Sequence, residues 1–253
     1  GNGNTISFTS ANANEKAVIK LKNTSHFIFD SLVVDASAGT QGFVFHLTNN
    51  ADSNIIRKCT INTSTTSTST NYAGIVISGA DATAIGTGTT LCDYNKIQNN
   101  TINGGYYGIT LAATVAGANG SNEIVGNTIS DFYFYGIYVA ASYKTLISKN
   151  TISRPTRTSV GEFNGIYYTT LSTNNLIEKN KIINPFGGIP TSTSPFYGIN
   201  FNSTSALTGE DNIIQNNVIA ANNGNGIQYG IFNTSSNNIW YFHNTIALEN
   251  PTA

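Results

Sequence analysis

The stretch NTINGGYYGITL, residues 100–111, holds an asparagine, a glycine pair, two tyrosines and an apolar alternation within a few positions. Its last four residues recur as similar tetrapeptides that begin at positions 18, 42, 74, 108, 136, 165, 198 and 230. The spacings between these copies are 24, 32, 34, 28, 29, 33 and 32 residues. Self-similarity with a period of about 20 to 50 residues indicates a solenoid or another repeat architecture.

A second element, I-x-x-N-x-I, alternates with the first along the chain. Its asparagines, the last of them in a weaker copy, are Asn100, Asn127, Asn150, Asn180, Asn217 and Asn244. Two further weak copies are centred on Ser31, between Ile28 and Val33, and on Cys59. Both elements alternate apolar and polar residues with a period of 2 and are rich in isoleucine, so each reads as a short strand.

The strand pairs predict one all-β domain over residues 1–253, a parallel β-solenoid of about eight coils. Isoleucine at the same inward site of successive coils forms an apolar column, and an asparagine at each bend can bond the asparagines above and below it. The glycine before each isoleucine is interpreted as a corner, or as a position where two backbones approach closely.

These coils resemble the parallel β-helix repeat of the right-handed pectate-lyase-like superfamily, whose repeats occur in carbohydrate-binding and sugar-hydrolase proteins. The resemblance covers residues 17–249 and implies a right-handed parallel β-helix. Members of that superfamily act mostly on polysaccharides. Their hydrolase motifs, Asn-Thr-Asp, Asp-Asp and Gly-His-Gly, do not occur here. We therefore predict no catalytic residue, no metal site and no cofactor, and keep a lyase or hydrolase with an unrecognised site as the alternative.

The amino-acid composition excludes some classes of binding partner. Only 10% of the residues are charged, the net charge is −1, and the charges form no basic run, which excludes a nucleic-acid partner. No apolar stretch is long enough to insert into a membrane. The chain contains no methionine, and we expect it to be a segment of a longer exported or cell-surface protein. Cys59 and Cys92 fit no metal-ligand spacing and are expected to be buried free thiols.

Aromatic residues recur just before the repeated glycine and at the outward position two residues after it. The candidate binding rings are Tyr106, Phe134, Tyr138, Phe163, Tyr167, Phe196 and Phe232. The outward positions are Val44, Val76, Thr110, Tyr138, Tyr167, Asn200 and Phe232. Such rings can stack on sugar rings, pack at the corners of the coils, or contact a neighbouring domain or a second copy of the chain.

Three insertions, 62–72, 154–164 and 184–197, lead into glycine strands and are expected to wall a shallow groove beside the rings. The sequence thus predicts a non-catalytic β-helix module that is structural or adhesive, with polysaccharide or glycan as its candidate ligand. A self-assembling structural protein is a further alternative, because open solenoid ends expose strand edges.

Overall fold

A computed structural model describes residues 5–88, 90–115 and 118–249. This part of the chain forms 27 strands and contains no α-helix. None of the described segments is therefore a helix of the length and apolarity needed to cross a membrane. All strand pairs in the three large sheets are parallel, and each strand pairs with the equivalent strand of the next coil. The prediction of an all-β parallel solenoid of about eight coils is confirmed.

Each coil contributes one strand to each of three sheets. Sheet 1 holds the longest strands, β2 (Ala17–Lys22), β5 (Gly42–Thr48), β8 (Tyr72–Ile77), β11 (Tyr107–Ala112), β15 (Tyr135–Ala140), β19 (Phe163–Thr169), β22 (Phe196–Asn202) and β25 (Gln228–Thr234). Sheet 2 follows it in each coil and holds β3 (Ile28–Asp30), β6 (Ile55–Arg57), β9 (Lys96–Gln98), β13 (Glu123–Val125), β17 (Leu146–Ser148), β20 (Leu176–Glu178), β23 (Asn212–Gln215) and β26 (Ile239–Phe242).

Sheet 3 closes each coil, and its strands are preceded by the asparagine bend. It holds β1 (Thr5–Ser7), β4 (Val33–Asp35), β7 (Thr60–Asn62), β10 (Thr101–Asn103), β14 (Thr128–Ser130), β18 (Thr151–Ser153), β21 (Lys181–Ile183), β24 (Val218–Ala221) and β27 (Thr245–Leu248). A small fourth sheet pairs β12 (Asn119–Gly120) with β16 (Ser142–Tyr143). Successive coils lie about 4.8 Å apart, so equivalent side chains stack in columns.

The asparagines of the I-x-x-N-x-I element lie in series at the bend between sheets 2 and 3. Asn150 donates from its side-chain Nδ2 to Asn180 Oδ1 at 3.0 Å and to the carbonyl of Ile124 at 2.8 Å. Its own Oδ1 accepts the backbone N–H and the Nδ2 of Asn127. Equivalent bonds link the series Asn100, Asn127, Asn150, Asn180, Asn217 and Asn244.

The residue before each ladder position turns the chain. Asn99, Lys149 and Lys179 have φ of 56°, 59° and 55°, and Gly126 has a φ of 70°. This left-handed conformation makes the sharp bend that points each asparagine inward. Cys59 takes the ladder position of its coil, and its N–H donates to Asn100 Oδ1. Both cysteines are buried and free.

A second polar ladder lies at the other end of sheet 2 and was not predicted. Its members precede those of the first ladder by five residues, and they are Asn54, Asn95, Asn122, Asn175 and Asn212, with Thr145 in the same position of its own coil. Asn54 and Asn95 bond side chain to side chain at 3.1 Å, and Asn175 and Asn212 at 2.9 Å. Both ends of the short sheet 2 strands are therefore fixed by buried amides.

The interpretation of the repeated glycine as a corner is wrong, whereas that of close approach is right. Gly108 lies inside β11, and a Cβ there would stand 2.5 Å from the carbonyl oxygen of Gly136 and 2.5 Å from Ile129 Cγ2. The corner is made instead by Gly104 and Gly105, with φ of 84° and 85°. The glycine thus leaves room for the next coil and for an isoleucine of sheet 3.

The sequence alignment of two copies of the repeat is wrong. In coil 2, Phe45 pairs with Ile75, so Val44 occupies the glycine position and lies in the core instead of facing outward. His46, next in the strand, is the outward residue of that coil. In coil 1, Phe29 pairs with Ile56. The second element of this coil therefore begins at Phe29 and not at Ile28, one residue later than in the alignment centred on Ser31.

Candidate functional site

The outward surface of sheet 1 carries two groups of aromatic rings. In the first, Tyr138 and Tyr167 of adjacent coils stack with ring centroids 5.4 Å apart and planes at 21°. Tyr135 packs against both of them at 5.2 and 5.0 Å. Tyr106 and Phe134 extend this group, parallel to each other at 5.5 Å. These five rings are half-buried, so part of each reaches solvent.

The second ring group lies on the last two coils. Tyr197 and Tyr229 stack at 5.5 Å and 17°, and Phe232 packs on both at 5.2 and 4.8 Å. We call the two ring groups and the residues between them the aromatic face. Of the predicted rings, Tyr106, Phe134, Tyr138, Tyr167 and Phe232 lie on it.

Phe163 and Phe196 do not lie on this face. Both are fully buried and stack in the core, 5.3 Å apart, with Phe132 at 5.0 Å from Phe163. They stand two residues before the repeated glycine, as Tyr106 and Phe134 do. However, β19 and β22 already begin at that position, where Phe163 and Phe196 pair in register and both rings lie in the core. β11 and β15 begin one residue later, which leaves Tyr106 and Phe134 free to lie outside.

A loop closes the aromatic face toward the first coils. Val76 and Thr110 occupy outward positions in coils 3 and 4, but both are fully buried. Ala84 and Ile85 of the loop after β8 cover them, and the Thr110 hydroxyl donates to the Ala84 carbonyl at 2.8 Å. The accessible part of the face therefore begins in coil 4 and extends to the last coil.

A polar relay separates the two ring groups. By register, Asn164 lies between Tyr135 and Tyr197. Its Nδ2 donates to Glu162 Oε1 at 2.7 Å, and its Oδ1 accepts Nδ2 of Asn200 at 2.9 Å. Sequence reasoning missed this relay because it lies across two coils, at positions where neighbouring coils carry tyrosine.

The free acceptors of the relay belong to its two ends. Asn200 lies between Tyr167 and Phe232 and is only 6% exposed. Among the described residues, no donor bonds its Oδ1. Glu162 is half-buried, and its carboxylate is close enough to affect two rings. Burial first, and the Glu162 charge as a smaller cause, raise the pKa of Tyr106 and of Tyr197.

Two tyrosine hydroxyls of the first ring group stay protonated at neutral pH. Burial, with a smaller effect of Tyr167, raises the pKa of Tyr138 to about 12. Burial also raises the pKa of Tyr135 well above its ordinary value. The hydroxyls of Tyr135 and Tyr138 therefore act as neutral donors and acceptors. The hydroxyl of Tyr167 accepts Nδ2 of Asn202 at 3.1 Å.

Two buried arginines hold the loops beside the face. Arg154 is fully buried between the rings of Phe163 and Phe186, at 5.3 and 4.9 Å. Burial lowers its pKa to about 9, so it stays cationic at neutral pH. Its guanidinium donates to the backbone carbonyls of Tyr133, Gly161 and Pro185.

Arg157 connects two of the predicted insertions. Its Nη2 donates to the carbonyl of Ser67 at 2.5 Å, and its Nη1 donates to the carbonyl of Asp131 at 3.0 Å. The guanidinium also lies 5.2 Å from the ring of Tyr133. Residues 62–72 are thereby fixed to residues 154–164 at the edge where the sheet 1 strands begin.

A separate cavity of about 180 Å³ lies near the first coils. The residues that line it include Lys16, Lys20, His46 and Asp81. Burial lowers the pKa of His46 to about 4, so its imidazole is neutral at pH 7. Its Nε2 lies 3.2 Å from the Ser78 hydroxyl. Lys20 is paired with Asp81.

The three parallel sheets and their stacked columns define a right-handed parallel β-helix. The chain belongs to the family described as "Right handed beta helix region", which matches residues 90–250. Residues 1–156 also match the family described as "Periplasmic copper-binding protein (NosD)". No curated protein sequence matches the chain.

Two solved structures share the fold. The A-module of the mannuronan C-5 epimerase AlgE6 from Azotobacter vinelandii is 14% identical, with a TM-score of 0.55, over 88% of this chain and 54% of its own. The GH136 lacto-N-biosidase from Eubacterium ramulus is 10% identical, with a TM-score of 0.56, over 97% of this chain and 56% of its own. The chain thus spans about half the length of each.

The described residues do not fit a copper site. Copper in proteins is bound by imidazole, thiolate and thioether groups. The chain has no methionine, and Cys59 and Cys92 are buried. His46 is buried against Ser78, and the three histidines stand in coils at opposite ends of the solenoid. In the parts of the chain that the structure describes, no group of three His, Cys, Asp or Glu side chains is placed to hold a metal ion.

Proposed function

We propose that this protein is a non-catalytic β-helix module of an exported or cell-surface protein, and that it binds carbohydrate along the aromatic face. The observation that carries the proposal is the pair of ring groups separated by the Glu162–Asn164–Asn200 relay. Half-exposed rings offer apolar surface to the faces of sugar rings, and the Glu162 carboxylate beside them can accept hydrogen bonds from sugar hydroxyls.

Three further observations support this proposal. The face lies on a rigid parallel sheet, and buried arginines fix the loops at its edge, so the surface is preorganised for a ligand. The single accessible carboxylate on the face, Glu162, contrasts with the two carboxyl groups that most glycoside hydrolases use. Two proteins with the same fold carry the names of carbohydrate enzymes, and a periplasmic family matches the first part of the chain.

The test is affinity electrophoresis of the protein through gels that contain single soluble polysaccharides, neutral and acidic. Tyr138→Ala and Tyr167→Ala remove adjacent rings of the first group, and Tyr94→Ala removes an exposed tyrosine from the loop before β9. We expect at least one polysaccharide to retard the wild type and Tyr94→Ala alike. Each face variant is expected to lose up to about tenfold in affinity, because one stacking ring contributes about 0.5 to 1.5 kcal/mol.

Two results contradict the proposal. Retardation that both face variants retain in full would remove the aromatic face as the binding surface. New reducing ends or unsaturated uronates after incubation would replace binding with lyase or hydrolase activity. Circular dichroism of each variant confirms that the solenoid is intact, so that a loss of binding reports on the rings.

Self-association is a second candidate function, favoured by the apolar side chains on the end coils. Trp240 is 53% exposed on β26, and Phe27 is 50% exposed just before β3. Within residues 5–249, the strands of the first and last coils pair on one side only, and their parallel edges are complementary head to tail. Sedimentation velocity over a hundredfold concentration range tests this function. Association that Trp240→Lys abolishes supports it, and a monomer at every concentration contradicts it.

A further inference from the structure

We propose that the aromatic face selects uncharged glycans and rejects polysaccharides that carry carboxylate or sulfate groups. This inference rests on the proposed function and specifies the ligand class of the same face.

The accessible formal charge on the face is negative. The strands β11, β15, β19, β22 and β25 contain no Asp, Glu, Lys or Arg. In the described residues that lead into these strands, the charged side chains are Asp131, Arg154, Arg157 and Glu162. The first three are at most 6% exposed, so Glu162 is the charge that a ligand on the face meets.

The two buried cations offer an anionic ligand no hydrogen bond. Arg154 uses Nε, Nη1 and Nη2 for backbone carbonyls, and Arg157 does the same. Their guanidinium planes are further covered by aromatic rings. Recognition of a carboxylate or sulfate requires accessible donors, above all arginine or lysine. The face does not present those groups.

The accessible end of the relay instead presents an acceptor. Asn164 donates one amide N–H to Glu162, and Asn200 donates one to Asn164. Both side chains are at most 6% exposed, so neither presents a donor to a ligand. What remains for a ligand is the second carboxylate oxygen of half-buried Glu162, because the unpaired Oδ1 of Asn200 is itself buried beneath the face. Acceptors of this kind match the hydroxyl donors of a neutral sugar. They repel the oxygens of a uronate or a sulfate ester.

The rings on both sides of the relay extend the contact along one glycan chain. Tyr167 and Phe232 are two coils apart on the same column, with Asn200 between them. Two coil spacings are about 10 Å, so one oligosaccharide can contact both ring groups and pass over the relay. An acidic group anywhere on that segment would come close to Glu162.

The experiment uses pairs of polysaccharides that share a sugar configuration and differ in oxidation at C6: mannan and mannuronan, galactan and galacturonan, glucan and glucuronan. The wild type and Glu162→Gln are compared by affinity electrophoresis at low and high salt. Glu123→Gln, a carboxylate on β13 of sheet 2 that pairs with Lys96, is the matched control.

We expect the wild type to bind a neutral member at least about tenfold more tightly than its acidic counterpart, the factor that one unit-charge contact gives at a protein surface. Glu162→Gln should narrow this ratio at low salt, and Glu123→Gln should leave it unchanged. High salt should narrow the wild-type ratio, since exposed charges are screened. Equal or tighter binding of the acidic member by the wild type would overturn the inference and leave the proposed function intact. Binding of neither member in any pair would instead contradict the proposed function itself.

Discussion

Removal of one ladder asparagine should strongly destabilise the solenoid. The substitution Asn150→Ala deletes four side-chain hydrogen bonds, two donated and two accepted. Asn180 Oδ1 keeps the bond from the backbone N–H of residue 150, and Asn127 Nδ2 keeps the Ile97 carbonyl. Two buried groups lose their partner in the ladder, namely the backbone N–H of Asn127 and the carbonyl of Ile124. Each such loss costs about 1 to 3 kcal/mol.

We therefore expect Asn150→Ala to lower the free energy of unfolding by about 4 kcal/mol, measured by urea denaturation followed by circular dichroism. The control is Thr128→Ala, which truncates an exposed side chain on β14, next to Asn127, and should cost less than about 1 kcal/mol. A cost for Asn150→Ala no larger than that of the control would refute the reasoning that the ladder stabilises the bend.

Three further perturbations test other parts of the structure. Gly108→Ala places a Cβ 2.5 Å from the Gly136 carbonyl oxygen and should cost about 2 kcal/mol or more in urea denaturation; a neutral substitution would contradict the close approach. His46, whose pKa is lowered from 6.5 to about 4 by burial, binds its proton more weakly when folded. The contribution of His46 to the free energy of unfolding should thus be complete above pH 6.5, and the free energy of unfolding should fall by up to about 3 kcal/mol as the pH drops toward 4. The variant His46→Gln should flatten this dependence of the free energy of unfolding on pH. A dependence that the variant leaves unchanged would refute the lowered pKa of His46. Arg157→Met removes the donor to Ser67 and should accelerate proteolysis within residues 62–72 by about tenfold, read by mass spectrometry; an unchanged cleavage rate would contradict the link.

The sequence repeat predicts the solenoid because each repeated position corresponds to one column of stacked side chains. Equivalent residues of a parallel solenoid lie one above another, so the same environment selects the same residue type in every coil. Asn100 and Ile102, with their equivalents, were placed correctly for this reason. The second ladder carries the same kind of signal, an asparagine five residues earlier in most coils, and could have been found.

The wrong assignments in the sequence alignment arise where a short sequence pattern resembles the repeat but does not match the strand register. The tetrapeptide that begins at Gly42 imitates the repeat, but the register places Val44 at the glycine position and Phe45 in the isoleucine column. Phe163 and Phe196 look equivalent to Tyr106 and Phe134 in the sequence. The point where each strand begins decides which way the ring points, and single sequences fix such boundaries poorly.

The residues of the candidate site that sequence reasoning missed have partners in other coils. Glu162 is a single carboxylate without a motif; it accepts a bond from Asn164 two residues later, and only the stacking of adjacent coils brings Asn200 to Asn164. Arg154 and Arg157 look like surface cations in a polar insertion, yet both are buried. A charged side chain can be buried when backbone carbonyls and rings surround it, and that enclosure is visible only in three dimensions.

The most direct test of ligand binding at the aromatic face is an NMR titration with ring-labelled tyrosine. A neutral oligosaccharide from the polysaccharide that retards the protein is added, and the ring signals are assigned with single Tyr→Phe variants. We predict that the signals of Tyr138, Tyr167 and Tyr197 shift and saturate together, while those of Tyr94 and Tyr143, outside the face, stay in place. Saturable shifts at Tyr94 or Tyr143 with no change at Tyr138 and Tyr167 would contradict binding at this face.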